Sequence, residues 1–189
     1  MNDDASFLEG QLLIAMPGMG DRRFDRSVVF MCSHSEEGAM GLIINKPVRE
    51  LSFAELLTQL DIEVDASDSD RPVFFGGPVE HGRGFVLHSN DYQSEGATMS
   101  VDGGFGMTAT LDVLRDLANG KGPRSALLAL GYAGWSSGQL ESEIRANGWL
   151  AAPADDRLVF DTPPDDAWTV AMQRIGIDPR LLSGDGGRA

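Results

Sequence analysis

Residues 134–138, Gly-Trp-Ser-Ser-Gly, match the G-x-S-x-G pattern of a serine hydrolase's nucleophile elbow. In such enzymes a strand, a sharp turn and a helix expose the serine, and a histidine accepts its proton. An apolar run over residues 125–130 precedes the motif and an amphipathic segment follows it, which predicts that context. In α/β-hydrolases, however, the histidine follows the serine in the chain. Here all the histidines precede Ser136: His34, His81 and His88.

The same serine also has a purely structural interpretation. Ser136 and Gln139 have the spacing of a capping box, in which each side chain binds the other residue's backbone amide. Glu141 and Arg145 are spaced as an i,i+4 ion pair on the helix that would follow. We therefore interpret Ser136 as a helix cap, and keep a hydrolase as the alternative.

Cys32 and His34 are a second candidate pair, since side chains two apart on a strand share a face. Such residues lie roughly 6–7 Å apart, which is too far for a direct thiol–imidazole hydrogen bond. Free cysteine is usually a small buried hydrophobe. The alternatives that remain are a hydrolase using Ser136 or Cys32 with His34 or His88 as base, and a redox sensor acting through Cys32.

Two glycine-containing segments could form contact surfaces. Residues 80–84 could bind an anion through Arg83, although a plain hairpin turn is the favoured interpretation. Gly76, Gly77 and Pro78 indicate a sharp bend. Trp135 and Trp149 are most simply core residues, and the alternative for Trp135 is partial exposure beside a groove that would suit a partner. No nucleotide-binding motif or metal-ligand spacing is recognised, so no cofactor and no metal are expected.

Composition limits the partners and the compartment. The 189 residues carry a formal net charge of −14, which disfavours nucleic-acid and anionic-membrane binding. The single cysteine permits no internal disulfide, and the acidic N-terminus lacks the features of a signal peptide. We expect a cytoplasmic protein with no membrane association.

The pattern of strands and helices predicts an α+β fold. Strands are expected at residues 12–16, 27–33, 40–45, 125–130 and 158–160, with short strands around Gly103-Gly104. Residues 73–76 and 84–88 flank a loop and could pair as a hairpin. Helices are expected after a capping box at Ser52 and Glu55, at 111–117, after Ser136, and at 166–175. Residues 1–189 form one predicted domain, with 1–6 and 183–189 frayed.

Four segments in order along the chain resemble the AlgH/YqgE family of bacterial proteins. They are residues 11–19 with 23–28, residues 37–47, residues 75–79 with 83–88, and residues 131–135 with 138–141. The resemblance implies one α+β domain whose strongly bent mixed sheet forms a barrel-like core with helices around it. Some members are labelled transcriptional regulators, but no catalytic residues come with the family. Members typically carry a small pair such as Gly-Pro where this chain has Ser136-Ser137, which argues against a catalytic serine.

The leading prediction is therefore a non-enzymatic binding or regulatory module acting through a protein partner. Glycines let a partner approach the backbone, while amide, cationic and aromatic side chains supply contacts. The predicted binding surface consists of Asn45, Gly76, Gly77, Pro78, Arg83, Gly131, Gly134 and Trp135.

Overall fold

Nine strands form one sheet in the part of the chain that the computed structural model describes, residues 7–18, 21–63 and 71–182. The strands are β1 (Gln11–Ala15), β2 (Val28–Ser35), β3 (Gly38–Ile43), β4 (Val73–Phe75), β5 (Val79–Ser89), β6 (Thr98–Val101), β7 (Phe105–Thr108), β8 (Ala126–Ser136) and β9 (Trp149–Pro153). The helices are α1 (Phe53–Gln59), α2 (Leu111–Ala118), α3 (Gln139–Arg145) and α4 (Pro164–Arg174). Shorter helical turns cover Arg22–Phe24, Arg157–Asp161 and Pro179–Leu181. The predicted frayed ends, 1–6 and 183–189, lie outside the described residues.

The sheet is antiparallel except at one strand. Its order is β6-β7-β5-β8-β3-β2-β1-β9, and β4 pairs in parallel with β8. The predicted hairpin between residues 73–76 and 84–88 is therefore wrong, because β4 and β5 lie on opposite edges of β8. The predicted α+β class, with a curled mixed sheet and helices around it, is confirmed.

Alternating side chains divide the core between the two faces of the sheet. The inner face carries one large cluster, in which Leu12, Phe30 and Leu42 pack with Trp168 and Met172 of α4. The outer face carries two clusters. One lies under α3 and the other under α1 and α2. The α1 capping box is confirmed, since the Glu55 amide donates to Ser52 Oγ at 3.1 Å and the Ser52 amide to Glu55 Oε2 at 3.3 Å.

A glycine reverses the alternation of side chains within β8. Ala129 belongs to the inner cluster, and Leu130 packs against the outer cluster under α1 and α2. Gly131 then adopts a φ of +74°, and Tyr132 returns to the inner face with Ala133 on the outer face under α3. Gly131 therefore acts as one extra residue in the pattern, as in a β-bulge.

A second irregularity lies in β2. Met31 pairs with Gly41 and Ser33 with Met40, so two steps along β2 match one step along β3. Cys32 is the extra residue and packs in the inner cluster. As a result His34 lies on the outer side, where it contacts α3.

The link from β4 to β5 crosses β8 at close range. A Cβ atom on Gly76 would lie 2.3 Å from the Gly131 carbonyl oxygen, and one on Gly77 would lie 2.1 Å from the Tyr132 carbonyl carbon. A Cβ on Gly131 would lie 2.4 Å from the Gly77 carbonyl oxygen. These glycines form the crossing point, because no other residue leaves room for two backbones there.

Candidate functional site

Ser136 is the last residue of β8, and its hydroxyl is held by Gln139. The Ser136 backbone amide and Oγ both donate to Gln139 Oε1, at 3.0 and 3.2 Å. Helix α3 begins at Gln139, and its N-cap is Gly138 with a φ of +74°. Only half of the predicted capping box forms: the Gln139 side chain accepts from the Ser136 amide, but Ser136 Oγ accepts nothing from the helix. The prediction that Ser136 is the N-cap is wrong, because Gly138 holds that position.

Cys32 and His34 are separated by the irregularity in β2. The thiol is buried, and burial raises its pKa to about 12. Its Sγ lies 3.9 Å from the Phe30 carbonyl oxygen. The prediction that the thiol and the imidazole share one face is wrong, since the extra residue places them on opposite faces.

His34 joins the N-terminal segment to α3. The Leu8 amide donates to its Nδ1 at 3.0 Å, and its Nε2 donates to Glu141 Oε1 at 2.7 Å. The backbone amide of Glu141 and the His34 contact lower the pKa of that carboxyl group. The helix pattern had predicted an ion pair between Glu141 and Arg145. In the structure Glu141 binds His34 instead.

His88 is buried between β5 and β7. Its Nδ1 lies 2.7 Å from the Ser89 carbonyl oxygen and must donate, so Nε2 accepts from Thr108 Oγ1 at 2.8 Å. Burial lowers its pKa. In the described part of the chain, none of the three imidazoles hydrogen-bonds to a serine hydroxyl or to the thiol. The described geometry therefore lacks the nucleophile–base pair that the hydrolase alternative requires.

The predicted binding surface divides into buried and accessible parts. Gly76, Gly77 and Gly131 are buried at the crossing point. Asn45 fixes the backbone before β2, since its Oδ1 accepts from the Val28 amide at 2.9 Å and its Nδ2 donates to the Arg26 carbonyl at 2.9 Å. The other members, Pro78, Arg83, Gly134 and Trp135, line two grooves on either side of the end of β8.

The first groove, here called the inner groove, has a volume of about 680 Å³. Its floor is apolar and its rim is polar and charged. The apolar lining comes from Met40, Val79, Phe85, Met107, Ala109 and Tyr132, and the polar lining from Ser33, Ser35, Glu37, Glu80 and Arg83. The guanidinium of Arg83 lies 5.1 Å from the centre of the Phe85 ring and 3.5 Å from Glu80 Oε2.

The second groove, here called the outer groove, has a volume of about 630 Å³. It lies between the Arg22–Phe24 turn, α3 and the start of β9. Its lining includes Asp21, Arg23, Phe24, Pro78, Gly134, Trp135, Gln139, Glu143 and Trp149. Trp135 is only 6% exposed, so its interpretation as a core residue is confirmed and the alternative of a partly exposed ring is wrong. The interpretation of Trp149 as a core residue is confirmed, since it is 1% exposed. Sequence reasoning missed Phe24 and Glu143, which come to the groove only through tertiary packing.

Neither a metal-binding cluster nor a membrane-crossing helix is found in the described residues. No cluster of three or more His, Cys, Asp or Glu side chains is positioned to bind a metal ion there. No helix among them combines the length and apolar composition needed to cross a membrane.

The fold and the grooves define a single-domain α+β protein built on a curled half-barrel sheet. A family model described as AlgH-like matches residues 12–180, so the chain belongs to the AlgH-like family. A UPF0301 protein of Methylocella silvestris is 55% identical over 97% of this chain and 93% of its own length. A UPF0301 protein of Rhodospirillum rubrum is also 55% identical, over 97% and 95%. The predicted family is thereby confirmed.

Two solved structures have the same fold as this chain. The AlgH protein of Pseudomonas aeruginosa superposes with a TM-score of 0.80 at 40% identity, over the whole of both chains. A protein of Corynebacterium diphtheriae superposes with a TM-score of 0.73 at 22% identity, covering 92% of this chain and 90% of that one. The second likeness concerns the fold alone.

Proposed function

We propose that this protein is a non-enzymatic binding module of the cytoplasm, with a regulatory role, that holds a partner protein in the inner groove. The observation that carries the proposal is the groove itself, an apolar floor surrounded by polar and charged side chains. Protein interfaces have this arrangement of an apolar centre and a polar rim. The candidate nucleophiles support the same function, since Ser136 and Cys32 are engaged by Gln139 and by the inner cluster.

The groove offers both affinity and selectivity to a peptide segment. Tyr132, which is half-buried and packs edge to face on the buried Phe85 at 5.8 Å, supplies a rigid aromatic surface. Arg83 supplies the one cationic side chain of the lining, and that side chain is 56% exposed. Arginine and aromatic residues are the types that dominate binding energy in protein interfaces. A partner segment with an apolar side chain fits this surface, and Arg83, which is paired with Glu80 at 3.5 Å, supplies a contact at its edge.

Net charge favours a protein over a nucleic acid as the partner. The chain carries −14, and phosphate backbones are repelled by such an excess. If the protein regulates transcription, as some family members are labelled, it does so in this proposal through another protein.

Site-specific photocrosslinking tests the proposal. A benzophenone amino acid is placed at Val79, which lines the inner groove, or at Met99 on β6, and both native side chains are 36% exposed. In native cell extract we expect a discrete adduct from position 79 that is absent from position 99. Arg83→Ala should reduce the yield of that adduct. Equal adducts from both positions, or a yield that does not change with Arg83→Ala, would show that the inner groove is not the binding surface.

A further inference from the structure

A third groove, here called the α4 groove, lies between the turn before β2 and the C-terminal part of α4 with the turn that follows it. Its volume is about 570 Å³, and it shares no lining residue with the inner or the outer groove. Its polar, charged and aromatic lining comes from Arg26, Trp168, Thr169, Gln173, Asp178 and Arg180.

The backbone of Arg26 is held in an unusual conformation. Arg26 has a φ of +52°, in the left-handed region that residues other than glycine rarely adopt. Asn45 Nδ2 donates to the Arg26 carbonyl at 2.9 Å, and Asn45 Oδ1 accepts from the Val28 amide at 2.9 Å. The asparagine therefore fixes the direction in which the exposed arginine side chain leaves the turn. A strained conformation that its surroundings maintain is typical of functional positions.

The side chain of Arg26 is positioned as well. Its guanidinium carbon lies over the Trp168 ring, 5.1 Å from the ring centre. That ring is itself fixed, since Trp168 is buried and its indole N–H donates to the Ala15 carbonyl at 2.8 Å. A guanidinium above an aromatic ring is held through its face, so its in-plane N–H groups stay available to an acceptor.

The charge of Arg26 is not compensated within the groove. Asp178 is the one carboxylate of the lining, and Arg180 occupies it with Nη2 at 2.7 Å from Oδ2 and Nε at 3.0 Å from Oδ1. Arg26 takes part in none of the ion pairs formed by the described residues. The lining therefore carries one net positive charge, on a chain whose formal net charge is −14.

Two uncharged donors of α4 accompany the arginine. Thr169 and Gln173 are four residues apart on the helix, so they lie on one face, and both line the groove. A hydroxyl and a side-chain amide can each donate to an oxyanion. A guanidinium binds the planar edge of a carboxylate or two oxygens of a phosphate through parallel N–H groups.

We propose that the α4 groove is a binding site for a small ligand with an oxyanion group, which Arg26 binds and Thr169 and Gln173 assist. Ile177 and Pro179 supply apolar surface for the rest of the ligand. The oxyanion is a carboxylate or a phosphate, since the guanidinium suits both. Because this groove is separate from the inner groove, either proposal can fail without the other.

The indole N–H resonance of Trp168 reports binding at the predicted place. Benzoate and phenyl phosphate are titrated at constant ionic strength, and benzamide serves as the uncharged reference. We expect saturable shifts of Trp168 with at least one anion, about tenfold tighter than with benzamide. Trp135 and Trp149, which line the outer groove, should not shift.

The two anions distinguish the possible ligand classes. Tighter binding of benzoate identifies a carboxylate ligand, and tighter binding of phenyl phosphate identifies a phosphate ligand. If neither anion binds more tightly than benzamide, the proposal is wrong.

Two variants and a control test the residues. Arg26→Gln removes the charge, so the preferred anion should bind about tenfold more weakly and benzamide as before. Gln173→Glu keeps the contact of Arg26 with Trp168 but places a carboxylate beside the guanidinium, and should weaken anion binding to a similar extent. Arg49→Gln removes the same charge from an exposed position outside all three grooves and should change nothing. Anion binding that survives Arg26→Gln, or that falls equally in Arg49→Gln, would overturn the assignment.

Discussion

At the residue scale, the irregularity at Cys32 decides which side chains can react with one another. The thiol packs among apolar side chains of the inner cluster, while His34 binds Glu141 on the opposite face. Ser136 is likewise held by Gln139, and His88 by Thr108. Each of these groups has a structural partner, and that partner explains its position without catalysis.

The Cys32 thiol should be unreactive in the native protein. Burial raises its pKa to about 12, so almost none is thiolate at neutral pH, and the residue is inaccessible. Iodoacetamide at pH 8 should leave the folded protein unlabelled and should label it fully in concentrated urea, as measured by intact mass. Rapid labelling without urea would restore the redox-sensor alternative.

Acid should weaken the fold through His88. Burial lowers its pKa below the ordinary value of 6.5, so the unfolded chain binds a proton before the folded chain does. The stability from this group is complete above pH 6.5 and is lost as the pH falls toward the folded-state pKa. Urea unfolding of wild type and His88→Gln between pH 8 and 5 measures this. The wild type should lose more stability than the variant between pH 6.5 and 5, and parallel curves would exclude His88 as the cause.

At the element scale, β8 organises the sheet. It pairs with β3 and β4 along one edge and β5 along the other, and the link between β4 and β5 crosses it. The crossing requires two backbones in contact, which the buried glycines Gly76, Gly77 and Gly131 permit. Gly131 also reverses the side-chain alternation, so one strand contributes to all three clusters.

Comparing Gly131→Ala with Gly138→Ala separates two costs to the free energy of unfolding: the steric clash of an added Cβ, and the strain of a left-handed backbone. Gly131 and Gly138 both have a φ of +74°, but a Cβ on Gly138 would meet nothing within 4 Å. Gly138→Ala should therefore cost only the left-handed conformation, about 1–2 kcal/mol. Gly131→Ala adds a clash with the Gly77 carbonyl and should cost about 2–5 kcal/mol in the free energy of unfolding. Urea denaturation of both variants checks this, and equal losses would mean that the crossing can relax.

Elements set by local interactions were predictable, and those set by distant contacts were not. The α1 capping box and the α2 helix follow from residues a few positions apart. The parallel pairing of β4 with β8 joins residues far apart in the chain, and the short link between β4 and β5 favoured a hairpin on local grounds. Strand irregularities were missed for the same reason, because the partner strand determines them.

At the scale of the whole molecule, the end of β8 separates two grooves. The inner groove carries Arg83 with Glu37 and Glu80, and the outer groove carries Glu143 with Asp21 and Arg23. Sequence reasoning selected Pro78, Arg83, Gly134 and Trp135, which line these grooves, because glycines and aromatic or cationic residues are typical of contact surfaces. It also selected Gly76, Gly77 and Gly131, because a glycine needed for backbone packing has the same sequence signal as one needed for a ligand.

The net charge makes a prediction for nucleic acids. With −14 over the chain, we expect no retardation of duplex DNA in a gel at micromolar protein and 50 mM salt. A known DNA-binding protein on the same gel serves as the positive control. A retarded complex that weakens as salt rises would show direct contact with phosphates and overturn the preference for a protein partner.

The order of strands in the sheet also determines when each strand can pair during synthesis of the chain. The first strand made, β1, pairs with the last, β9, and β3 and β4 both wait for β8. Chains leave the ribosome from the N-terminus at about 5–20 residues per second. The early strands therefore spend several seconds with edges exposed, and the sheet can be completed only when synthesis has passed residue 153. During that interval the nascent chain, and not the finished protein, is the form most in need of a chaperone.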